Sequence, residues 1–437
     1  MIWVELLVVL AAIFLGARLG GIAIGFTGGL GVLVLALLGV EPGDMPLDVI
    51  SIIAAVIAAI AAMQVAGGMD YLVSVAEKVL RRNPRHLIFL APVITYLMTF
   101  MAGTGHTAFS TMPVITEVAK ESNIKPARPL SIAVVASQIA ITASPISAAV
   151  VFFSSVLEKQ GVDYLQLLAV VIPSTFIGSM LAALCIYLWD RMSKHSALTD
   201  DPEFQRRLAA GTVDMRGHTE IVLKPRAKLS VAIFLTGLVA VMAYATAISD
   251  KVGLISDPPM TRDAAIIAFM LTIATTIVAF CAVDTSQILS ASTFKSGMSA
   301  CICVLGVAWL GATFVGAHEA EIKSAAGDLL RDHPWTLAVV LFFAACLLYS
   351  QAATTKALMP TALALGVSPV AAIASFAAVS ALFVLPTYPT LLAAVEMDDT
   401  GTTRIGKAVF NHPFLLPGVL AIAFSVALGF VFGGVLL

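Results

Sequence analysis

The sequence predicts an all-α polytopic membrane protein with about ten transmembrane helices and two re-entrant hairpins in an inverted repeat. Of its 437 residues, 59% are hydrophobic and only 12% are charged, whereas soluble domains carry about 25% charged residues. Long apolar runs supply enough length for spanning helices, which need about 20 residues each. An internal similarity between the two halves of the chain provides the third observation.

Eight apolar segments are predicted to cross the membrane as continuous helices. They are Met1–Gly16, Gly20–Val40, Val49–Gly67, Leu165–Leu188, Leu229–Ile248, Ala264–Val283, Gly297–Gly316 and Phe414–Leu437. The first is interpreted as a membrane helix rather than a removable signal, since no basic region precedes it and Glu5 lies within it. Two further regions, Leu87–Leu157 and Trp335–Val395, are apolar but interrupted by Pro, Gly and hydroxyl residues, so broken helices are expected there.

The two interrupted regions begin with similar sequences. Val79–Leu87 (VLRRNPRHL) resembles Leu329–Leu337 (LLRDHPWTL), and each follows a stretch with apolar residues at the spacing of an amphipathic helix. Each then leads into an apolar run, a polar segment and a Met-Pro pair, Met112-Pro113 and Met359-Pro360. These parallels predict one structural unit that occurs twice.

The distribution of Lys and Arg predicts that the two units have opposite orientations. Basic residues flank Leu87–Val118 on both sides, so this hairpin should enter and leave from the cytoplasm. The approach to Trp335–Leu365 is acidic and poor in Lys and Arg, so the second hairpin should open to the outside. Both termini are then periplasmic. Inverted repeats with discontinuous helices at the midplane are typical of secondary transporters.

This interpretation divides the chain into six parts. They are scaffold spans and an interfacial helix (1–85), a hairpin and broken helix of a transport domain (86–164), a span and cytoplasmic inter-repeat loop (165–228), scaffold spans and a second interfacial helix (229–334), the second transport-domain part (335–395), and a cytoplasmic loop with the last span (396–437).

Several other classes of protein are excluded by composition and motifs. The net charge of −2 argues against a nucleic-acid partner. The five cysteines form no CxxC pair, and no phosphate-binding loop or serine-protease turn occurs, so no metal, cofactor or enzyme activity is expected. Clustered glycines between Gly20 and Gly31 favour close helix packing, including packing between subunits of a homo-oligomer.

Four polar segments interrupt the apolar regions, and they are the predicted substrate site. Non-helical backbone at membrane depth must be buried or line a cavity, and the N–H groups at helix starts suit carboxylates. The predicted contacts are Gly103, Thr104, Gly105, His106 and Thr107; Ser137, Gln138, Thr142, Ser144 and Pro145; Ser350, Gln351, Thr354, Thr355 and Lys356; and Thr387, Tyr388, Pro389 and Thr390. The alternative is that these hydroxyls bond their own helices.

Two charged or titratable side chains in these segments have alternative interpretations. Lys356, just past the Thr354-Thr355 pair, is either a cation that compensates the substrate's charge or a side chain that extends to the outside water. His106 is either a carboxylate-binding or proton-carrying group or a structural hydrogen-bonding residue. His318 and Glu321 are interpreted as an interfacial pair rather than a metal site.

A set of motifs, in order along nearly the whole chain, resembles the anaerobic C4-dicarboxylate (Dcu) transporters. They are GARLGGIAIG (16–25), RRNP (81–84), GTGH (103–106), ASP (143–145), GAH (316–318), SQAA (350–353), LPTYP (385–389) and GTT (401–403). In two places the chain departs from the family pattern: Leu391 stands where members carry Asp, and Cys346 where they carry Lys, while Lys356 has no counterpart.

The resemblance implies a transporter of the bacterial inner membrane that belongs to the ion-transporter superfamily. It would exchange fumarate, malate, aspartate and succinate by moving a substrate-holding domain against a scaffold, as an elevator. A proton- or sodium-coupled dicarboxylate symporter is one alternative. A membrane co-sensor that partners a dicarboxylate sensor kinase is another.

Overall fold

The computed structural model describes most of the chain. The described residues are 2–19, 22–45, 47–192, 197–213, 223–248, 254–318 apart from 256, 292, 296, 300, 303, 304, 308 and 315, then 333–348, 350–384, 388–406 and 411–437. Within these ranges the fold is almost entirely helical. This confirms the predicted all-α class.

The helices follow the predicted apolar segments closely. The bounds are Ile2–Leu19, Ala23–Leu37, Leu47–Val65, Gly68–Arg82, Leu87–Ala102, Ala108–Glu121, Ala127–Ala140, Ala148–Glu158, Tyr164–Met192, Pro202–Ala209, Ala227–Ala247, Arg262–Cys281, Thr336–Leu348, Gln351–Ala364, Pro369–Ser375, Pro389–Met397 and Leu415–Leu436, with a 3₁₀ segment at Phe376–Phe383. The described residues between 293 and 318 are also helical.

Among the described residues, five helices are long and apolar enough to cross a membrane, and a sixth is possible if one bent pair counts as a single span. The five lie at Pro84–Ala102, Tyr164–Met192, Ala227–Tyr244, Asp263–Cys281 and Leu415–Leu436. Other predicted spans, such as Ala23–Leu37, are shorter helices. The total of about ten spans therefore stays a prediction.

The predicted amphipathic helix before the first hairpin is present at Gly68–Arg82. It leaves the preceding membrane helix at an angle of 68°, and the bend is made by Gly67, whose φ of +86° is a conformation that favours glycine. One face of this helix, which includes Val73 and Leu80, is buried. The corresponding second helix, predicted within 319–332, lies outside the described residues.

Both predicted hairpins are present as pairs of helices joined by short polar turns. The first hairpin consists of Leu87–Ala102 and Ala108–Glu121, and the second of Thr336–Leu348 and Gln351–Ala364. At 1.5 Å per residue the last three of these helices are roughly 20–21 Å long, which is less than the hydrocarbon thickness of about 30 Å and fits re-entrant hairpins better than complete spans. The first helix, extended by the turn from Pro84, is the one of the four that is long enough to cross.

A broken helix follows each hairpin. The first broken helix is interrupted between Ala127–Ala140 and Ala148–Glu158. The second runs from Pro369 through the 3₁₀ segment, and its last part is Pro389–Met397. The first break is buried deep in the protein, since Thr142 and Ser144 are fully buried, and the 3₁₀ segment that precedes the second break is buried as well. The repeat is therefore visible as the same order of elements in each half.

Glycines allow helices from distant parts of the sequence to approach closely. A β-carbon on Gly28 would lie 2.4 Å from the carbonyl carbon of Gly306, and one on Gly178 would lie 2.7 Å from the backbone nitrogen of Ser425. Gly28 belongs to the glycine-rich stretch for which packing between subunits was considered. In the structure this residue packs within the chain.

Three basic residues at the junction between the first hairpin and the first broken helix form ion pairs with acidic residues that are distant in sequence. Lys120 donates to Asp399 at 3.0 Å, Lys125 donates to Asp201 at 3.1 Å, and Arg128 contacts Asp190. Burial would raise the pKa of Asp201, but its bond to the Lys125 ammonium brings that pKa below the ordinary value. The inter-repeat loop thus anchors one end of this half of the molecule.

We predict that the two hairpins open to opposite sides of the membrane. Asn83 and His333 occupy matching positions just before the hairpins, and both are exposed. Asn83→Cys and His333→Cys, each placed singly in a cysteine-free background, should react with an impermeant thiol reagent from opposite sides. Labelling of both positions from the same side in intact cells would contradict the inverted repeat.

Candidate functional site

A cavity of about 170 Å³ lies where the two hairpin tips meet the two helix breaks. Residues 103–105 of the first tip and 350–352 of the second contribute to its wall, together with Ile141 and Tyr388 from the breaks. Sites for drug-sized ligands are typically about 300–1,000 Å³, so this cavity suits a small metabolite. None of its described lining residues carries a charge.

Four helices begin at this cavity. The second helix of the first hairpin starts just beyond Gly105, and Ala148–Glu158 starts in the wall itself. The second helix of the second hairpin starts at Gln351, and Pro389–Met397 starts directly after Tyr388. The two repeats each contribute two of these helix starts.

The helix starts contribute positive potential to the cavity, whose described lining side chains are neutral. Each helix N-terminus is equivalent to about +0.5 elementary charge, so four amount to at most about +2. Ser147 and Ser350 each accept one N–H of the first turn, from Val150 and Ala353, at 3.2 Å. The first turn of a helix has further N–H groups that an anion can bind.

Four helices also end at or beside the cavity, at Ala102, Ala140, Leu348 and Phe383. Some of their last carbonyl groups are bonded within the protein. Ser144 Oγ donates to the Phe100 carbonyl at 2.7 Å, and the N–H groups of residues 141–143 donate to the carbonyls of residues 138–140. Where the carbonyls are bonded in this way, the N–H groups of the helix starts are the backbone groups available to a ligand, and they suit an anion.

Gln138 connects the two repeats behind the cavity. Its amide nitrogen donates to Thr390 Oγ1 at 3.0 Å, and its backbone carbonyl accepts from Gln351 Nε2 at 3.2 Å and from Ser380 Oγ at 3.4 Å. The residue is 1% exposed. These bonds hold the second hairpin tip and the second broken helix against the first broken helix.

The structure brings six of the predicted substrate contacts together in the cavity wall. They are Gly103, Thr104, Gly105, Ser350, Gln351 and Tyr388. The side chains of His106 and Pro389 and the whole of Thr387 lie outside the described residues. Among the rest, Gln138 and Thr390 bond each other, and the Pro145 carbonyl accepts the Tyr164 hydroxyl.

Six other predicted hydroxyl side chains bond within the protein and do not line the cavity. Thr107 bonds Thr99 Oγ1. The other five hydroxyls donate to backbone carbonyls: Ser137 to Val134, Thr142 to Ile139, Ser144 to Phe100, Thr354 to Ser350 and Thr355 to Gln351. All six distances are 2.6–2.9 Å. Five of these bonds are made to residues only three to eight positions away. These side chains support the shape of the wall from behind.

Sequence reasoning missed one side of the cavity. Helix Leu47–Val65 contributes Ile53, Val56, Ile57 and Ile60, and Thr293 and Gly297 lie beside them. This helix is apolar on all sides, so neither periodicity nor a polar residue distinguishes the positions that face the cavity. Only the packing of the helix against the hairpin tips identifies them.

Lys356 lies one turn beyond the cavity wall. It is 3% exposed, its Nζ has no hydrogen-bond partner in the described part of the chain, and the Phe152 ring centroid is 5.3 Å away. A side chain that extended to outside water would be exposed, so the structure does not fit that alternative. Cys346, on the other helix of the hairpin, instead contacts the Ala381 carbonyl.

Comparison with known proteins gives full-length matches. A family model described as "Anaerobic c4-dicarboxylate membrane transporter" matches residues 1–437. A C4-dicarboxylate transporter DcuA of Wolinella succinogenes is 67% identical over 434 residues, 99% of each chain. DcuA of Escherichia coli K12 is 61% identical over 437 residues, 100% of each chain. An anaerobic C4-dicarboxylate transporter DcuB of E. coli is 38% identical over 98% of each chain.

A solved structure is similar in fold. The YdaH transporter of Alcanivorax borkumensis superimposes with a TM-score of 0.55 at 15% sequence identity, and the match covers 87% of this chain and 83% of that one. At this identity the likeness concerns the fold alone. It supports the arrangement of helices described above.

We predict that Gly103→Ala lowers the Tm more than the same substitution at a glycine that also has a positive φ but no close neighbour. Gly103 has a φ of +65°, and a β-carbon there would lie 3.1–3.2 Å from Ile146 in the first helix break. The strain of a left-handed conformation costs about 1–2 kcal/mol. The contact with Ile146 adds to that cost, so the Tm should fall in a thermal-unfolding measurement in detergent.

Gly161→Ala is the matched control. Gly161 has a φ of +77°, but nothing lies within 4 Å of its added β-carbon, so this variant suffers only the conformational strain. An equal loss of Tm in both variants would show that the tip of the first hairpin does not pack tightly against the helix break.

Proposed function

Because this chain belongs to the family of anaerobic C4-dicarboxylate membrane transporters, we propose that it exchanges fumarate, malate, aspartate and succinate across the bacterial inner membrane. In this proposal, import of one dicarboxylate is coupled to export of another, without ATP. The cavity between the hairpin tips and helix breaks is the substrate site.

The observation that carries this proposal is a neutral cavity at which four helices begin. A C4-dicarboxylate carries two negative charges at neutral pH, and four helix N-termini correspond to at most about two positive charges. Two of these ends come from each repeat, so each pair can receive one carboxylate. Thr104, Ser350 and Gln351 add neutral donors at the hairpin tips.

The arrangement also supports an elevator mechanism. The hairpins and broken helices surround the cavity on one side and would move as a transport domain. The wall formed by Ile53, Val56, Ile57 and Ile60 is apolar, and it would belong to a stationary scaffold. An apolar face without specific hydrogen bonds allows one body to slide past another, and movement of the transport domain would then open the cavity to each side in turn.

The test of this function is counterflow in proteoliposomes. Vesicles loaded with unlabelled fumarate should accumulate labelled fumarate, malate, aspartate or succinate, whereas C3 and C5 acids should exchange poorly. Uptake that requires a Na⁺ or proton gradient would favour a symporter. Absence of flux for every acid would favour the co-sensor role with a sensor kinase and would contradict the proposal.

We predict that Ser350→Ala and Thr104→Ala weaken substrate binding. Each removes a hydroxyl at the cavity wall, and a hydrogen bond to a charged group contributes about 1.5–3 kcal/mol. Affinity measured by competition in the counterflow assay should therefore fall about tenfold to a hundredfold.

Thr111→Ala is the control for these variants. Thr111 is fully buried in the first hairpin, and its hydroxyl donates to the Ala108 carbonyl at 3.0 Å without reaching the cavity. Its affinity for fumarate should match that of the unaltered protein. Wild-type affinity in both cavity variants would place the substrate elsewhere.

A further inference from the structure

A second pocket, of about 340 Å³, lies at the ends of three helices. Leu47–Val65 and Arg262–Cys281 end in its wall, and Ala227–Ala247 begins directly after it. The exposed segment Lys224–Arg226, from the end of the inter-repeat loop, forms one side. The pocket shares no described lining residue with the substrate cavity, so it is a separate place where a ligand can bind.

Lys224 and Arg226 place two cations at this pocket, and both bond neutral groups. Lys224 Nζ donates to the Val65 carbonyl and Arg226 Nη1 to the Phe280 carbonyl, each at 2.6 Å. An ammonium has three N–H donors and a guanidinium five, so both cations retain donors for an anion. Asp284, the acidic residue of the described lining, accepts hydrogen bonds from its own turn. Two cations and one carboxylate leave the pocket with a net positive charge.

An apolar groove of about 490 Å³ lies between two of the helices that bound this pocket. Its walls are residues 229–240 of one helix and 269–276 of the other. The hydroxyls of Thr272 and Thr276 donate to carbonyls of their own helix at 2.8 and 2.7 Å, so they need no partner in the groove. Ala232 in the groove wall is exposed. The groove is therefore accessible from the lipid side of these helices.

The groove begins next to the basic pocket and has the depth of one leaflet. Leu229 is three positions after Arg226, and Thr276 is five positions before Cys281, which lines the pocket. At 1.5 Å per residue, residues 229–240 extend over about 16 Å, which is close to half of the hydrocarbon thickness of about 30 Å. The two cations therefore lie where lipid headgroups lie, at one end of an acyl-sized groove.

We propose that the pocket and the groove together bind one anionic phospholipid. Its phosphate binds Lys224 and Arg226, and one acyl chain lies in the groove between the two helices. Basic pockets between membrane helices on the cytoplasmic side are typical headgroup sites, and the predicted topology places the inter-repeat loop on that side. A zwitterionic lipid carries no net charge to match the pocket, so the site selects an anionic one.

The pocket also connects this lipid to the helix that lines the substrate cavity. Val65 and Ala66 lie in the pocket, at the end of the helix whose middle part faces that cavity. Gly67, which makes the bend after this helix, packs against Lys224, since a β-carbon on Gly67 would lie 3.1 Å from Lys224 Cβ. A ligand that binds only the folded state stabilises it, so the anionic lipid should raise the Tm of the protein.

The direct test counts lipids bound to the purified full-length chain by native mass spectrometry in detergent. Phosphatidylglycerol should bind at one tight site, and phosphatidylethanolamine with the same acyl chains should bind more weakly. Lys224→Gln combined with Arg226→Gln should weaken phosphatidylglycerol binding about tenfold or more. Lys78→Gln combined with Arg85→Gln removes two exposed cations outside the pocket, and this control should keep the tight site.

A second pair of variants blocks the groove without changing a charge. Ala232→Phe places a ring in the groove, where it should exclude the acyl chain and weaken phosphatidylglycerol binding. Val239→Phe places the same ring at an exposed position of the same helix that does not line the groove. This control should bind the lipid like the unaltered protein.

Four outcomes would overturn the inference. They are equal binding of both lipids by the unaltered protein, equal losses in the two charge-removing double variants, normal lipid binding in Ala232→Phe, and a Tm increase with inorganic phosphate as large as with phosphatidylglycerol. A change of oligomeric mass in Ala232→Phe would also overturn it, because a second copy of the chain would then cover the groove. If the Lys224 and Arg226 variant does not fold, the Ala232 and Val239 pair decides. Lipid binding is measured without substrate, so failure of the proposed transport function leaves this test unaffected.

Discussion

The hydrogen-bonding requirement of the backbone in lipid is the constraint on which this structure depends. A helix that stops within the membrane leaves N–H and C=O groups that the hydrocarbon cannot satisfy. This chain interrupts its helices at two hairpin tips and two breaks, and it places all four interruptions together inside the protein. Tyr164–Met192 and Leu415–Leu436 pack against the helices that precede both breaks, and Gly178 lets these two helices approach each other closely at Ser425.

The same constraint creates the chemistry of the site. Carbonyl ends of the interrupted helices are bonded to side chains and turns, as when Ser144 donates to the Phe100 carbonyl. The N–H ends of four helices converge on a cavity whose described walls carry no charge. A site of this kind would hold an anion mainly through backbone dipoles. Because Gln138 bonds both Thr390 and Gln351, the geometry of the two repeats is fixed as one unit.

The two repeats are alike in architecture but differ in charge. The first hairpin is anchored at its base by Arg81, which bonds Glu77, Glu117 and Glu121. The second hairpin carries Lys356 near its tip, and its Nζ has no hydrogen-bond partner among the described residues. His318 contacts Glu5 and joins the first helix to the second half, whereas Glu321, its predicted partner, lies outside the described residues.

The sequence by itself determined the helices, the hairpins and the breaks. Hydropathy, amphipathic spacing and the positions of Pro and Gly are local properties, and they identified hairpin tips such as Gly103–Thr107. Only the tertiary structure decided which polar groups line the cavity. Thr354 and Ser350 look equivalent in sequence and both bond their own helix, but only Ser350 lies in the wall. The contribution of Ile57 also depends on long-range packing, because an apolar helix carries no local signal for its cavity-facing side.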